Sequence, residues 1–305
     1  MKRVVSVSLG ASSRNHRVEA EIMGEQFLIE RIGTDGDFAK AVELVRSLDG
    51  KIDAFGMGGI DLYIMAGRKR YVLRDALRIK EAAQKTPMVD GSGLKNTLER
   101  RTVHYLVREG LFDFAGKKVL LVCGVDRFGM AEALVEEGAN VIFGDLIFGL
   151  NLPIPIKSLP MLSAVGRALG PLVCRLPFKY LYPTGEQQDV IFKKYRQYYE
   201  LNEVIAGDFH FIKKYLPENI QGKVILTNTV TPDDVKLLAA RGAQCLITTT
   251  PELGGRSFGT NVMEAVLVVL LGKAVEVITA DDYNQILDQA NFKPRIAHLV
   301  KIETA

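Results

Sequence analysis

The sequence predicts an α/β protein: a Rossmann-like, doubly wound parallel sheet together with a smaller N-terminal α/β domain. Five short, nearly continuous apolar runs in the second part of the chain are separated by helical patterns, as in a parallel sheet covered on both faces. Glycine-rich loops follow several of these runs, at the strand ends where α/β proteins bind ligands. Strands and helices also alternate on a smaller scale before residue 110.

We place the smaller N-terminal α/β domain at residues 1–110. Its strand-like segments are "RVVSVSLG", "QFLIERIG", "KIDAFGMGG" and "PMVDGSG". Its helical segments are "DFAKAVELVRSLDG", "RDALRIKEAAQKT" and "LKNTLERRTVHYLVREGLF". The last of these is long and amphipathic, and we expect it to bridge the two domains.

We place the second domain, which is Rossmann-like and nucleotide-binding, at residues 111–280. Its five strand-like runs lie at residues 118–124, 140–145, 203–208, 223–229 and 244–250. Right-handed crossovers favour the strand order 3-2-1-4-5. The helix after the fourth run has Thr231 as its N-cap, Pro232 in its first turn and Gly242 at its end.

Two further segments complete the predicted organisation. Residues 146–201 form an insertion with six prolines and helices predicted near 161–169 and 187–199. An insertion of this length is a candidate lid, or a candidate subunit contact in a homodimer. Residues 281–305 are predicted to contain a helix that packs back on the first domain.

Composition narrows the classes of function. The 305 residues are 48% hydrophobic and 25% charged, with a formal net charge of +3 and no dense Lys/Arg stripe, so nucleic acid is not an expected partner. The three cysteines are far apart and no Cys/His cluster exists, so no metal site is predicted. No apolar run reaches about 18 residues and no signal peptide is visible. We therefore expect a cytoplasmic enzyme or binding protein.

A dinucleotide-binding pattern follows the first strand of the second domain. Gly124 and Gly129 match the first and third glycines of G-x-G-x-x-G, and Asp145 lies 21 residues after Gly124, where an acid binds the ribose. Asp126 replaces the second glycine, and its charge would repel a diphosphate unless Arg127 or a cation neutralised it. The predicted cofactor is NAD or NADP, with NAD favoured because Asp145 would repel a 2′-phosphate.

The ends of other strands supply the remaining candidate residues for binding the cofactor and the substrate. Thr229 and Thr250 are the last residues of the fourth and fifth runs and complete the predicted cofactor site. In the first domain the loops "GMGGID" and "DGSG" lie at equivalent ends, where glycines let backbone N–H groups approach an anion. The candidate substrate-binding residues are Gly58, Gly59, Asp61 and Ser92 from these loops, Asn96 from the helical segment that follows "DGSG", and Arg256 from the loop before residue 260.

The stretch "VDGSGLKNTLERR" followed by "GKKVLLVCGVDRFG" resembles the junction between the domains of shikimate and quinate dehydrogenases. More narrowly, the chain resembles bacterial proteins that carry the name quinate 5-dehydrogenase. The match covers residues 87–145. The resemblance implies a substrate domain followed by a nicotinamide domain, and a catalytic lysine–aspartate pair.

Carried over by position, the resemblance implies that Asp90 is the catalytic aspartate and Lys69 is the nearest candidate for the lysine. Ser6 and Ser8 correspond to the serines that bind the substrate. The expected activity is NAD(P)-dependent oxidation of a hydroxyl group on a small carboxylated, quinate-like molecule. The alternative is a non-redox protein on the same scaffold, a transferase or a binder of a nucleotide or small anion. The sequence supports both.

Overall fold

A computed structural model describes residues 1–66, 69–174 and 191–299. The strands are β1 (Lys2–Ser8), β2 (His16–Ile22), β3 (Glu25–Gly33), β4 (Ala54–Gly58), β5 (Tyr63–Ala66), β6 (Lys69–Val72), β7 (Met88–Val89), β8 (Lys118–Leu121), β9 (Asn140–Phe143), β10 (Val204–Ala206), β11 (Val224–Thr227), β12 (Cys245–Thr248), β13 (Glu252–Leu253), β14 (Arg256–Ser257) and β15 (Arg295–His298). The helices are α1 (Phe38–Leu48), α2 (Arg74–Lys80), α3 (Ser92–Arg108), α4 (Phe128–Glu136), α5 (Leu159–Val173), α6 (Arg196–Glu200), α7 (Phe209–Lys214), α8 (Pro232–Ala240), α9 (Thr260–Leu271) and α10 (Ala280–Gln289). The predicted α/β fold class is confirmed.

The chain divides into two compact units, and neither is continuous in sequence. The first unit comprises Met1–Thr97, Arg167–Gln188 and Gly259–Phe292, and the second comprises Leu98–Gly166, Asp189–Phe258 and Lys293–Ala305. This division differs from the predicted boundaries at residues 110 and 280. The helix α9, expected in the second domain, belongs to the first unit, and so does α10. The last strand, β15, belongs to the second unit.

The first unit is built on a sheet with the strand order β2-β3-β1-β4-β7. The central strand β1 runs parallel to β3 and β4, and β2 is an antiparallel edge strand. Apolar side chains such as Val5, Val7, Phe55 and Met57 are buried beneath α1 and α2. The near-continuous burial of β1 and β4 explains why these runs lack the alternation of a half-exposed strand.

Glycines let α9 approach this sheet closely. A Cβ on Gly56 would lie 2.9 Å from the carbonyl oxygen of Asn261, and one on Gly91 would lie 2.8 Å from the Asn261 nitrogen. The side chain of Glu264, further along α9, accepts a hydrogen bond from the Gly91 N–H at 2.7 Å. Gly56 within β4 and Gly91 after β7 therefore leave room for a helix of the same unit.

The second unit is built on a sheet with the order β15-β12-β11-β10-β8-β9. Counted along the chain, its five parallel strands have the order 2-1-3-4-5, so the predicted order 3-2-1-4-5 is wrong. The third strand, β10, pairs with β8, and the outer edge of β9 carries an isolated bridge between Phe143 and Ile156. The antiparallel strand β15 closes the opposite edge beside β12.

Helix ends in both units follow the local signals. Thr231 caps α8 and exchanges hydrogen bonds with Asp234 in a capping box, with Pro232 at the first position. Gly242 follows with a positive φ of 86°. The predicted helix near 161–169 lies within α5. Of the one predicted at 187–199, residues 187–190 lie outside the described part of the chain, and α6 begins at Arg196.

Candidate functional site

The carboxyl ends of β8 and β10 mark the topological switch point of the second sheet. The strand β9 lies on one side of β8, and β10, β11 and β12 lie on the other. Doubly wound sheets bind ligands in the crevice outside such a point. The predicted glycine loop follows β8 and Asp208 follows β10, so the candidate site of this unit is built from these loops.

Asp145 is hydrogen-bonded to the glycine loop itself. Its Oδ2 accepts the Gly124 N–H at 2.9 Å, and its Oδ1 accepts the Val125 N–H at 2.8 Å. Burial raises the pKa of Asp145 to about 6, against these two hydrogen bonds, and the Asp126 carboxylate adds to the rise. The side chain predicted to bind ribose hydroxyl groups thus binds the backbone of its own loop.

Apolar side chains fill the space beside Gly124. A Cβ on this residue would lie 2.9 Å from a methyl carbon of Leu162 and 2.9 Å from a ring carbon of Phe143. Both side chains are fully buried. Leu162 belongs to α5 in the predicted insertion, so this part of the insertion is packed into the core of the second unit. A ribose that approached Gly124 would have to displace Leu162.

Arg127 forms ion pairs with two carboxylates inside the second unit. Its guanidinium is buried, with Nη1 donating to Glu99 and Nη2 donating to Asp208 at 2.9 Å. Sequence reasoning did not single out Glu99. The signal is its helical spacing, since Glu99 lies on the face of α3 that also carries the buried Val103 and Leu106. Arg127 therefore does not offer its charge to a phosphate.

Asp208 remains partly accessible in this cluster. Its Oδ2 also accepts from the Asn228 amide at 3.1 Å, and its Oδ1 accepts from the His210 N–H at 2.8 Å. Burial alone would raise the pKa of Asp208, but Arg127 and then His210 and these hydrogen bonds outweigh it and hold the pKa at about 2. Its side chain is 23% exposed. Asp208 is thus a fixed, permanently ionised carboxylate at the switch point.

The other predicted groups of this edge have structural partners. The Thr229 hydroxyl donates to the Ser257 carbonyl at 2.7 Å, and the buried Thr250 hydroxyl bonds the carbonyls of Asn228 and Phe258. Gly129 is buried in the first turn of α4. Arg256 is buried in β14 with its guanidinium 5.7 Å from the centre of the Phe258 ring.

The residues of the glycine loop do not fit a nicotinamide dinucleotide. The amides of Gly124 and Val125 are bonded to Asp145, and Leu162 lies against Gly124. Asp126 puts a second carboxylate in the loop where the pyrophosphate needs a glycine. Arg127, the nearby cation, is neutralised by Glu99 and Asp208. These observations argue against binding of the ribose and also against binding of the pyrophosphate.

In the first unit, the predicted catalytic residue Asp90 organises a loop. Its Oδ2 accepts the N–H groups of Leu62 and Tyr63 at 2.7 and 3.1 Å, and its Oδ1 accepts the Ser92 hydroxyl at 2.7 Å. The backbone of Lys69 begins β6, and its side chain lies outside what the structure describes. The predicted Lys69–Asp90 pair therefore stays a prediction.

A different lysine–aspartate pair lies in the first unit. Lys95 in the first turn of α3 is buried, and its Nζ lies 3.4 Å from Oδ1 of Asp61. Asp61 was predicted as a substrate ligand, whereas Lys95 was not singled out. A lysine in the first helical turn opposes the helix dipole and needs an acidic partner, which is the signal that points to it. Its neighbour Asn96 is half-buried.

The predicted substrate serines are buried and engaged. The Ser6 hydroxyl accepts a hydrogen bond from the Asn261 amide at 2.9 Å, and the Ser8 hydroxyl accepts from Arg31 at 3.0 Å. Gly58 and Gly59 are packed as well. A Cβ on Gly58 would lie 3.1 Å from the Ser8 side chain, and one on Gly59 would lie 2.8 Å from the Gly10 nitrogen.

Two searches of the described residues were negative. No group of three or more His, Cys, Asp and Glu side chains in residues 1–66, 69–174 and 191–299 is arranged to hold a metal ion. In the same part of the chain, no helix has both the length and the apolar character needed to cross a membrane.

Comparisons with solved structures found distant similarity. A galactofuranose binding protein matches 95% of this chain and 99% of its own length, at 12% identity and a TM-score of 0.37. A transporter solute binding protein from Burkholderia multivorans matches 97% and 98%, at 13% identity and a TM-score of 0.38. The hetero-hexameric glutamate dehydrogenase from Thermus thermophilus matches 95% and 73%, at 12% identity and a TM-score of 0.45. The comparison with curated proteins found no match.

Two family models match the chain. One, described as Domain of unknown function (DUF8753), matches residues 3–90. The other, described as Domain of unknown function (DUF8754), matches residues 93–299. Because the second model covers more than half of the chain, this protein belongs to the DUF8754 family.

Proposed function

We propose that this protein has a non-redox function and binds a small molecule with hydroxyl or amino groups through Asp208. The observation that carries the proposal is the buried Glu99–Arg127–Asp208 cluster at the switch point of the second sheet. It fixes a charged carboxylate where doubly wound sheets bind their ligands.

The chemistry of Asp208 favours recognition over proton transfer. A carboxyl group with a pKa of about 2 is a weak base at neutral pH, so it is poorly suited to removing the proton of an alcohol. A fixed carboxylate does accept strong hydrogen bonds from hydroxyl or ammonium groups. Asp126 and Asp145 lie at the same edge and add negative charge, which favours a neutral or cationic ligand over a phosphate.

Thermal unfolding of the intact chain tests the proposal. NAD⁺ and NADP⁺ are added at about 1 mM, beside a panel of sugars, amino acids, polyamines, quinate and shikimate at about 10 mM. We expect a panel member to raise the melting temperature and neither nicotinamide cofactor to do so, because a ligand that binds only the folded state stabilises it.

The variant Asp208→Asn assigns the site. Calorimetric titration of the folded variant with the stabilising ligand should show at least roughly tenfold weaker binding, since the charge-assisted hydrogen bond is lost. Asp233→Asn is the matched control, because Asp233 is 91% exposed on α8. Stabilisation by NAD⁺ together with oxidation of a hydroxylated substrate would instead establish the oxidoreductase hypothesis.

A further inference from the structure

A groove of about 670 Å³ runs along the free edge of β9. It begins at Lys118 and Asn140, the first residues of β8 and β9, so it lies at the amino-terminal end of the sheet, opposite the loops that carry Asp208. Its apolar lining comes from Val135, Val141, Ile142, Leu159, Pro160 and Leu201. This volume lies within the range of small-molecule pockets, about 300–1,000 Å³.

Few backbone N–H and C=O groups of β9 face outward into this groove. Phe143 exchanges two hydrogen bonds with Ile156, so its N–H and C=O groups point away from β8. Because backbone groups alternate along a strand, those of Val141 also point outward, and those of Asn140 and Ile142 do not. One residue with outward groups is too little for an added peptide strand, which needs a run of them.

The charged residues of the groove have one sign. Lys118 and Lys157 are exposed and line it, and none of the described lining residues is acidic. Glu203 also interacts with Lys118, but its Oε1 is bonded to Lys117 at 2.9 Å. A second copy docked about a two-fold axis would bring lysines towards lysines, which opposes association.

We propose that this groove binds a single-chain amphipathic carboxylate, such as a free fatty acid. The hydrocarbon chain lies against Val135, Leu159 and Leu201, and the carboxylate lies at the rim with Lys118 and Lys157. Leu201 is 61% exposed, so a hydrocarbon chain would remove a large apolar side chain from water. This site is separate from the proposed ligand site at Asp208.

Titration of the intact protein with laurate, dodecanol and dodecyltrimethylammonium tests the charge requirement. We expect laurate to bind, the alcohol to bind at least about tenfold more weakly, and the cation not to bind. Each methylene added from octanoate to laurate should tighten binding by roughly fourfold, because burial of a methylene contributes a nearly constant free energy. Equal binding of all three headgroups, or no binding of laurate below its micelle concentration, would overturn the proposal.

Two variants locate the binding site. Lys157→Glu and Val135→Glu each place a carboxylate at an exposed position in the groove. Each variant should bind laurate about tenfold or more weakly than the wild type does. Lys236→Glu is the control, because Lys236 is 79% exposed on α8 and does not line the groove. Sedimentation velocity adds a second readout: a dimer that Val135→Glu dissociates would show that a second copy occupies the groove, and the proposal would be wrong. Unchanged laurate affinity in both variants would have the same consequence.

Discussion

Arg127 holds two carboxylates inside the second unit, so its removal should be costly. We expect Arg127→Met to lower the free energy of unfolding by about 3–5 kcal/mol, because Glu99 and Asp208 would lose their counter-charge in a buried position. Adding Glu99→Gln should recover part of the loss. Urea unfolding measures both changes.

Arg100 supplies the matched control for this experiment. It follows Glu99 on α3 and pairs with Glu132 and Glu136 of α4, but it is partly exposed. Arg100→Met should cost less than about 1 kcal/mol, since solvent screens an exposed pair. Similar costs for Arg100→Met and Arg127→Met would contradict the role assigned to the buried cluster.

Asp145 should make the folded chain less stable as the pH rises. An acid whose pKa is about 6 in the folded chain and near 3.8 when unfolded binds its proton more tightly when folded. The free energy of unfolding therefore decreases as the pH rises from about 4 to about 6. At each pH, the free energy of unfolding of Asp145→Asn is compared with that of the wild type. We expect this difference to shift in favour of the variant by roughly 1–3 kcal/mol between pH 4 and pH 7.5. Urea unfolding at both pH values checks this, and a difference independent of pH would exclude the raised pKa.

The packing of α9 on β4 depends on Gly56. A Cβ at this position would lie 2.9 Å from a backbone oxygen of Asn261, which cannot rotate away as a side chain can. We expect Gly56→Ala to destabilise the protein by about 1–3 kcal/mol through overpacking. The measurement is the melting temperature of the intact chain.

Gly149 provides the control for Gly56. Its φ is not positive, and nothing lies within 4 Å of a Cβ placed there. Gly149→Ala should change the free energy of unfolding by less than about 0.5 kcal/mol. A harmless Gly56→Ala would show that α9 can move away from the sheet at little cost.

At the scale of elements, sequence patterns predicted where most strands and helices lie. They did not predict which part of the molecule packs against the glycines. The runs that became β8 to β12, and the capped helix α8, follow directly from apolar runs and capping residues. The "GMGGID" and "DGSG" glycines were interpreted as room for an anion, and several of them instead give room to α9. The property that glycine supplies, a missing side chain, is the same in both cases.

At the scale of the molecule, the discontinuous first unit predicts that residues 93–299 do not form a native fold alone. This fragment matches the DUF8754 family model, yet it contains α9 without β1 and β4. Buried residues of α9, including Val262, Val266 and Leu267, would then face water at a cost of about 1.5–3 kcal/mol each.

Expression of this fragment beside the full chain gives the measurement. We expect the fragment to bind a hydrophobic dye and to lack the cooperative thermal transition of the full chain, as proteins with loosened packing do. A fragment that unfolds as cooperatively as the full chain would show that α9 does not need the first unit.

The sequence by itself determined the fold class, the alternation of strands and helices, and the glycine loop with Asp145 placed 21 residues after Gly124. These are local properties, because apolar runs, caps and turn residues act within a few positions of the chain. Only the tertiary structure decided the strand order, the unit to which α9 belongs, and the partners of Asp145, Arg127 and Lys95. Those outcomes depend on residues far apart in sequence, such as Glu99, Leu162 and Asp208. A buried charge takes whichever opposite charge the fold brings to it, and no spacing along the chain specifies that partner in advance.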